Sequence, residues 1–482
     1  MRFIATIKIL GTLLMILSIS MLPPIGVGLY YGDGAINSFV FAFFVTVTTG
    51  FIMWAPCRRT TYELKPRDGF MIVALFWVVL SFFSAIPLMV TLYPKLSFTD
   101  AVFEAVSGLT TTGATVLAHL QRLPHAMLYY RQQLHLFGGI GIIVLAVAIL
   151  PMLGIGGMQL YRAEIAGPNK TSKLTPRITQ TAKALWYIYF GLALACALAY
   201  HFAGMTWFDA VGESFSTVST GGFSLHDSSL AYYKSEWIDV VAIVFMLLGA
   251  INFSLHFHFF KYRRLSAYFK DPEFIGYIRF LLVISIIVAL VLIYYDYYHI
   301  HENVLNAVFT VVSLSSTTGL TTTNFSIWPS FLPFLLMFVA LVGGCAGSTS
   351  GGLKIIRCLM LKEQSKREFH RLIHPKAISA VKLGKQTLSE NTIQAIWGFV
   401  SIFVALFAAL FLLLIATGLD VTTAFGSLAA CISNSGAGIG KIADNFAHIN
   451  SNAKWILIFS MITGRLEIFT VMILLMPSYW KR

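Results

Sequence analysis

Apolar runs of about 20 residues alternate with short polar loops along most of the chain. A helix of that length crosses about 30 Å of hydrocarbon. Two such runs come first, at about 9–31 and 37–56, joined by a turn with Gly32-Asp33-Gly34. The pattern then changes and repeats four times. Each unit reads as a full span, a half-length apolar helix, a polar loop and a second span. In the first unit these fall at about 69–92, 97–109 and, for the second span, 127–153; the other half helices are expected near 207–218, 302–315 and 422–432. About 13 helical residues reach only ~20 Å, too short to cross. Such a helix must enter and turn back. Irregular backbone at membrane depth is tolerated only beside protein or a watery cavity, so each polar loop is expected to line one.

The four loops keep one register. Counting from Ala101, Ala210, Ala307 and Ala424, a hydroxyl residue stands nine positions on and a glycine twelve on in every unit. The loops are Thr110-Thr111-Thr112-Gly113, Ser219-Thr220-Gly221-Gly222, Ser316-Thr317-Thr318-Gly319 and Ser433-Asn434-Ser435-Gly436. Six past the alanine stand Ser107, Ser216 and Ser313, with Ala430 in the fourth copy. One such loop would be an ordinary turn. Four in register, each after a half-length helix, define a repeat. The expected fold is an all-α polytopic membrane protein, with four span–pore helix–span quasi-repeats around a pseudo-fourfold pore plus two extra N-terminal spans. The divisions are 1–68 for the two leading helices, then 69–177, 178–272, 273–390 and 391–482 for the repeats, the third with a broken second helix.

Composition excludes a soluble alternative. Hydrophobic residues make up 57% of the chain and charged residues 11%, against about 25% charged in soluble domains. The net charge of +13 would suit a nucleic-acid partner on a soluble fold, but the basic residues sit in loops between spans. With ten crossings, every Lys and Arg except Lys95, Arg122, Arg131, Lys234, Lys441, Lys454 and Arg465 falls on one side. That side is cytoplasmic by the positive-inside rule, so both termini are expected there and the four loops are expected to open outward. The first span reads as uncleaved, since no small-residue cleavage site follows it. The five cysteines are scattered and give neither a disulfide framework nor zinc spacing. Gly436-Ala437-Gly438-Ile439-Gly440-Lys441 has a superficial likeness to a phosphate loop but lacks its spacing and its Ser/Thr. No nucleophile–base pair can be assembled, so no enzyme is expected.

Four loops of small hydroxyl residues and glycine let backbone carbonyls approach a common axis, and a ring of carbonyls can replace the hydration shell of a potassium-sized ion. Each half helix runs inward, so its negative end favours a cation at the loop. Asp100 and Asp209 are placed to cap the starts of two half helices, and Glu104 and Glu213 either attract cations or hold structure by hydrogen bonds. In the third unit's second span, Gly343-Gly344-Cys345-Ala346-Gly347-Ser348-Thr349-Ser350-Gly351-Gly352 interrupts an apolar run. Each glycine costs about 1 kcal/mol against alanine in a helix. The segment is either a kink for close packing or a mobile loop across the permeation path, its freed backbone lining a cavity. Arg465 lies within the last long apolar run, where a cation is expensive and usually functional; Glu467 would not share its helix face. Arg131 reads as an orienting cation near an outer interface, and His256 and His258 as interfacial.

Over essentially its whole length the chain resembles the Trk/Ktr/HKT superfamily of potassium transporters, closest to the membrane subunit of bacterial Trk uptake systems. The resemblance rests on the four loops, on Phe137 to Pro151, on Phe245-Met246-Leu247-Leu248-Gly249 with Asn252-Phe253 and His256, and on Gly464-Arg465-Leu466-Glu467. It implies that the four loops are a potassium filter whose glycines are Gly113, Gly222, Gly319 and Gly436, binding the ion through backbone carbonyls. Serine at the first of these goes with sodium transport in some plant relatives, so glycine at all four implies potassium selectivity. Ala437 departs from the proline that often follows the fourth glycine. The resemblance makes Gly343, Gly344, Gly347, Ser348, Thr349, Gly351 and Gly352 an intramembrane gate, with Arg465 as its barrier. It implies a homodimer in the bacterial inner membrane and a TrkA-type cytoplasmic ring of regulatory subunits. NAD and ATP would bind that ring, and no covalent cofactor is implied on this chain. Uptake would be driven by the membrane potential; the alternative is proton- or sodium-coupled symport.

Overall fold

The computed structural model describes residues 2–59, 66–144, 178–377, 380–384 and 386–480. The end of the expected 127–153 span, including Pro151, lies outside these, as do Lys65, Arg162, Lys170, Lys173, Arg177, Lys385, Lys481 and Arg482.

The described residues are mostly helical, with one two-stranded hairpin at Lys382–Leu383 and Gln386–Thr387. Helices α1 (Arg2–Ile19) and α2 (Leu22–Tyr31) form the first apolar stretch, followed by α3 (Ile36–Trp54). Repeat one holds α4 (Pro66–Val90), α5 (Phe98–Leu109) and α6 (His125–Val144). Repeat two holds α7 (Ile178–Phe202), α8 (Trp207–Val218), α9 (Glu236–Ala250) and α10 (Phe253–Tyr262), and a short α11 (Ser266–Lys270) leads out of it. Repeat three holds α12 (Pro272–Tyr294), α13 (Ile300–Ser315), α14 (Leu332–Val342) and α15 (Ile355–Ile373). Repeat four holds α16 (Glu390–Ala416), α17 (Val421–Ile432), α18 (Ser451–Arg465) and α19 (Phe469–Leu475).

Helix α12 shows what the outer wall is made for. Tyr277, Leu281, Ser285, Val288 and Leu292 form its buried face, while Leu282, Ile286, Leu290 and Ile293 are exposed on the other. A helix apolar on both faces belongs in lipid. The short helices are enclosed instead: every residue of α5 from Ala101 to Leu109 is buried. This is an all-α, multi-pass membrane protein.

Fewer helices cross uninterrupted than the sequence suggests. Among the described residues six are long and apolar enough to span, or up to eight if each of two bent pairs counts as one span. The interruption expected between α14 and α15 is present, and two others were not expected. α9 and α10 meet at 96°, and α18 and α19 at 114°. At the first bend Asn252 accepts the Ser254 N–H, and the Phe253 N–H donates to Gly347 O at 3.0 Å. At the second, Glu467 takes a left-handed conformation (φ 50°) and pairs with Arg357 at 2.7 Å. Polar residues mark both bends, but each is also held by a partner distant in sequence, Gly347 at the first and Arg357 at the second.

His256 is buried, not interfacial. Its ring nitrogens lie 2.8 Å from Tyr268 Oη and 2.8 Å from Leu248 O, tying α10 back to α9 and α11.

Candidate functional site

Three of the four short helices begin on local side-chain caps. Ser97 and Thr206 accept the N–H groups of Asp100 and Asp209, both at 3.2 Å, and Asp420 accepts from Thr423. Asp100 and Asp209 are therefore not the caps but the third residues of their helices, where a carboxylate still faces the positive end. Asp100 also receives Lys454 Nζ at 2.7 Å.

All four helices end alike. The second loop residue (Thr111, Thr220, Thr317, Asn434) is left-handed, with φ between 49° and 57°. Its N–H donates three residues back, to Gly108, Thr217, Leu314 and Cys431. The third loop N–H donates five back, to Ser107, Ser216, Ser313 and Ala430, at 2.8–2.9 Å. This pair of bonds is the Schellman ending, usually built on glycine. A β-branched threonine held left-handed costs about 1–3 kcal/mol, and strain of that kind collects at functional sites. Because the acceptor five back is a backbone carbonyl, Ala430 serves there as well as serine.

The fourth residue of each loop is a glycine, also left-handed, and these glycines close a ring. A Cβ on Gly113 would clash with the carbonyl oxygen of Gly221, and one on Gly222 with that of Thr318. Likewise a Cβ on Gly319 would strike Ser435 O, and one on Gly436 would strike Thr112 O. Each loop thus abuts the next, and the last abuts the first. The structure brings all sixteen loop residues together, with the hydroxyl and amide side chains fully buried. Thr110 and Thr112 hydroxyls lie 2.7 Å apart, Ser316 and Thr318 2.7 Å, and Ser433 and Ser435 3.1 Å. Ala437 N–H donates to Ser435 O at 2.7 Å, a bond proline could not make.

Glu104 and Glu213 brace two of the loops in the same way. Glu104 accepts from Thr115 Oγ1 and the Val116 N–H, and Glu213 from Ser224 Oγ and the Leu225 N–H. Arg131 corrects an expectation: it does not lie at an interface. It is 1% exposed, pairs with Glu104 at 2.8 Å, donates to Ser224 O and stacks its guanidinium over Phe223. Both charges stand inside apolar stretches of one repeat, a coincidence that could have suggested the pair. Behind the loops, Gly138, Gly249 and Gly464 let their helices touch the carbonyls of Leu109, Val218 and Ile432.

The glycine-rich segment 343–352 packs directly against this ring. Thr349 Oγ1 lies 3.1 Å from Thr220 Oγ1 and donates to Gly249 O at 3.0 Å. Gly351 N–H donates to Thr317 Oγ1 at 2.7 Å, and a Cβ at Gly351 would clash with Ser433 O. The segment doubles back on itself: Gly343 faces Gly351 and Gly352, Gly344 touches Ser350, and Ser348 Oγ donates to Cys345 O. Gly347 rests on Asn252. Arg465, 3% exposed, donates from Nη1 to Thr349 O at 2.8 Å and from Nη2 to Gly138 O at 3.5 Å. Its partners are carbonyls, not a carboxylate. Three further residues hold the segment and were missed in the sequence: Glu273 accepts the Ala346 N–H at 2.6 Å, Lys354 Nζ donates to Ser350 O, and Asn252 supports Gly347. Lys354 directly follows the glycine run and could have been noticed; Asn252 stood in a stretch that carries the resemblance but without this role, and Glu273 carries no local signal. Among the described residues no cluster of His, Cys, Asp or Glu could hold a metal ion.

Four re-entrant helices whose loops close one ring define a pore-loop membrane protein. The family model described as TrkH, a cation transport protein, matches residues 35–482, and the chain belongs to that family. It is 51% identical over 476 residues to the Trk system potassium uptake protein TrkH of Halomonas elongata, covering 99% of each. It is 49% identical over 482 residues to the protein of that name from Escherichia coli K12, covering 100% of each. The fold matches the crystal structure of the potassium transporter TrkH from Vibrio parahaemolyticus with a TM-score of 0.93, at 48% identity and with full coverage of both chains.

Proposed function

We propose that this chain carries potassium ions into the cell through the ring formed by residues 110–113, 219–222, 316–319 and 433–436. The ring closure carries this reading: four left-handed glycines each sit against the next loop's carbonyl, leaving backbone oxygen as the chemistry available at the axis. Carbonyl oxygens replace the hydration shell of a potassium-sized ion, and four helix C-termini favour positive charge there. The repeats 69–177, 178–272, 273–390 and 391–482 each supply one quadrant, and 1–68 adds two peripheral helices. Segment 343–352 is the gate, and Arg465 fixes it shut through Thr349 while placing a positive charge below the ring. The membrane potential supplies roughly 2.3 kcal/mol per ion per 100 mV. The relatives' names place them in a Trk system, and this chain is read as the inner-membrane component of such a system, with cytoplasmic termini and regulatory partners.

The test is ion flux into liposomes holding the purified chain, under potassium and then sodium gradients. Potassium flux should exceed sodium flux. Gly113→Ser puts a side chain against Gly221 O and should lower the preference about tenfold or more, a change of roughly 1.4 kcal/mol in relative barrier. Equal flux of both ions through the wild-type chain would refute the filter.

A further inference from the structure

The second loop breaks a rule that the other three keep. In loops one, three and four the third residue carries a hydroxyl that meets the hydroxyl of the first residue. In loop two the third residue is Gly221, so Ser219 lacks that partner and donates to Ser216 O at 3.2 Å. Gly221 is not one of the left-handed glycines, so backbone conformation does not require glycine there. What excludes a side chain is His135. The three atoms nearest a Cβ built on Gly221 all belong to its imidazole: Nδ1, Cγ at 2.5 Å and Cε1 at 2.7 Å.

His135 comes from α6, in repeat one, and reaches across the seam into repeat two. It is fully buried, stacks on Phe223 with ring centroids 4.2 Å apart, and its Nδ1 lies 3.3 Å from Ser216 Oγ. Ser216 is the residue whose carbonyl accepts the Gly221 N–H at 2.8 Å. The ring thus holds both ends of that bond in place. Its neighbours Arg131 and Gln132 reach the same seam, to Ser224 O and Phe223 O. Met246 and Met461 occupy the same place as His135, three residues before Gly249 and Gly464, as His135 precedes Gly138. Where methionine stands at that place, the third loop residue of the ring's next quadrant is Thr318 or Thr112; where histidine stands, it is glycine.

We propose that His135 is a positioning residue for ion selectivity: its imidazole stands in for the side chain missing from Gly221 and fixes the Gly221 carbonyl at the edge of Gly113. This rests on the filter reading above and names a side chain outside the loops as part of the filter's shape. Its signature is reciprocal. Removing the ring should loosen loop two, and adding a side chain at 221 beside the ring should distort it. Making both changes restores the hydroxyl pair of the other loops.

The experiment compares wild type, His135→Ala, Gly221→Ser and the double variant H135A/G221S in liposomes, reading potassium-to-sodium flux ratio, with thermal unfolding in detergent as the check on folding. Each single change should lower the ratio about tenfold, and the double variant should recover to within about threefold of wild type, because residues in contact are non-additive. A purely structural core histidine would not be rescued in selectivity by a change in the filter itself. If His135→Ala fails to fold, Gly221→Ser against the double variant still decides, since relief of the Gly221→Ser defect requires the ring to be its cause. An unchanged ratio in Gly221→Ser, or a double variant as poor as the worse single one, overturns the role of His135. A wild-type chain without potassium preference overturns the filter reading first, and that result is read before any variant.

Discussion

The first and third loops share a backbone and a hydroxyl pair and differ in what braces them from outside. Both end a buried helix in the same pair of backbone bonds, and both place a left-handed threonine second and a left-handed glycine fourth. Loop one is braced by the buried Glu104–Arg131 pair, and the Thr111 hydroxyl has no hydrogen-bond partner among the described residues. Loop three has Thr310 where loop one has Glu104, and its Thr317 hydroxyl accepts the Gly351 N–H of the glycine-rich segment. The ring therefore has one quadrant fixed by ionic support and another tied to the part proposed to move.

The contrast can be broken hardest at loop one. Glu104→Ala leaves Arg131 buried without its carboxylate, which costs about 3–5 kcal/mol in a buried pair; the unfolding temperature in detergent should drop sharply, with little folded protein recovered. Next comes the gate side. Arg465→Ala removes the donor to Thr349 O and the positive charge beneath the ring, and potassium flux in liposomes should rise about tenfold, or roughly 1.4 kcal/mol of barrier. Unchanged flux would place the barrier elsewhere. The finest comparison is between matched threonines. Thr317→Val leaves the buried Gly351 N–H unpaired at about 1–3 kcal/mol and should raise flux by loosening the segment. Thr111→Val replaces a buried hydroxyl that has no hydrogen-bond partner among the described residues with a methyl of the same shape, and should leave flux and stability nearly unchanged. Equal responses at the two positions would erase the distinction between the quadrants.

What was legible in the sequence was local. The helix at Phe98–Leu109 begins one residue from its expected start and ends where expected, because a serine cap, apolar residues and a loop glycine all lie within one short stretch. The register of the four loops was legible for the same reason. Their closure into a ring was an inference, since the contact of Gly436 with Thr112 O joins residues from opposite ends of the chain. The bends at 251–252 and 466–468 were not read, although polar residues (Asn252, Arg465 and Glu467) stand at them, because the partners that set the angles, Gly347 and Arg357, lie far away. Arg131 was misplaced because its position suggested an interface, while its carboxylate lies 27 residues earlier on another helix.

The contact between Gly436 and Thr112 also bears on how such a molecule is made. A chain threaded into the membrane from its N-terminus has its first loop in place long before its fourth exists. Until residues 391–482 arrive, the first loop lacks the neighbour that abuts Thr112 and the third lacks the one that abuts Gly319. The ring is therefore closed by the last of its four quadrants to be made. A partly synthesised chain has an open seam where the closed ring will stand.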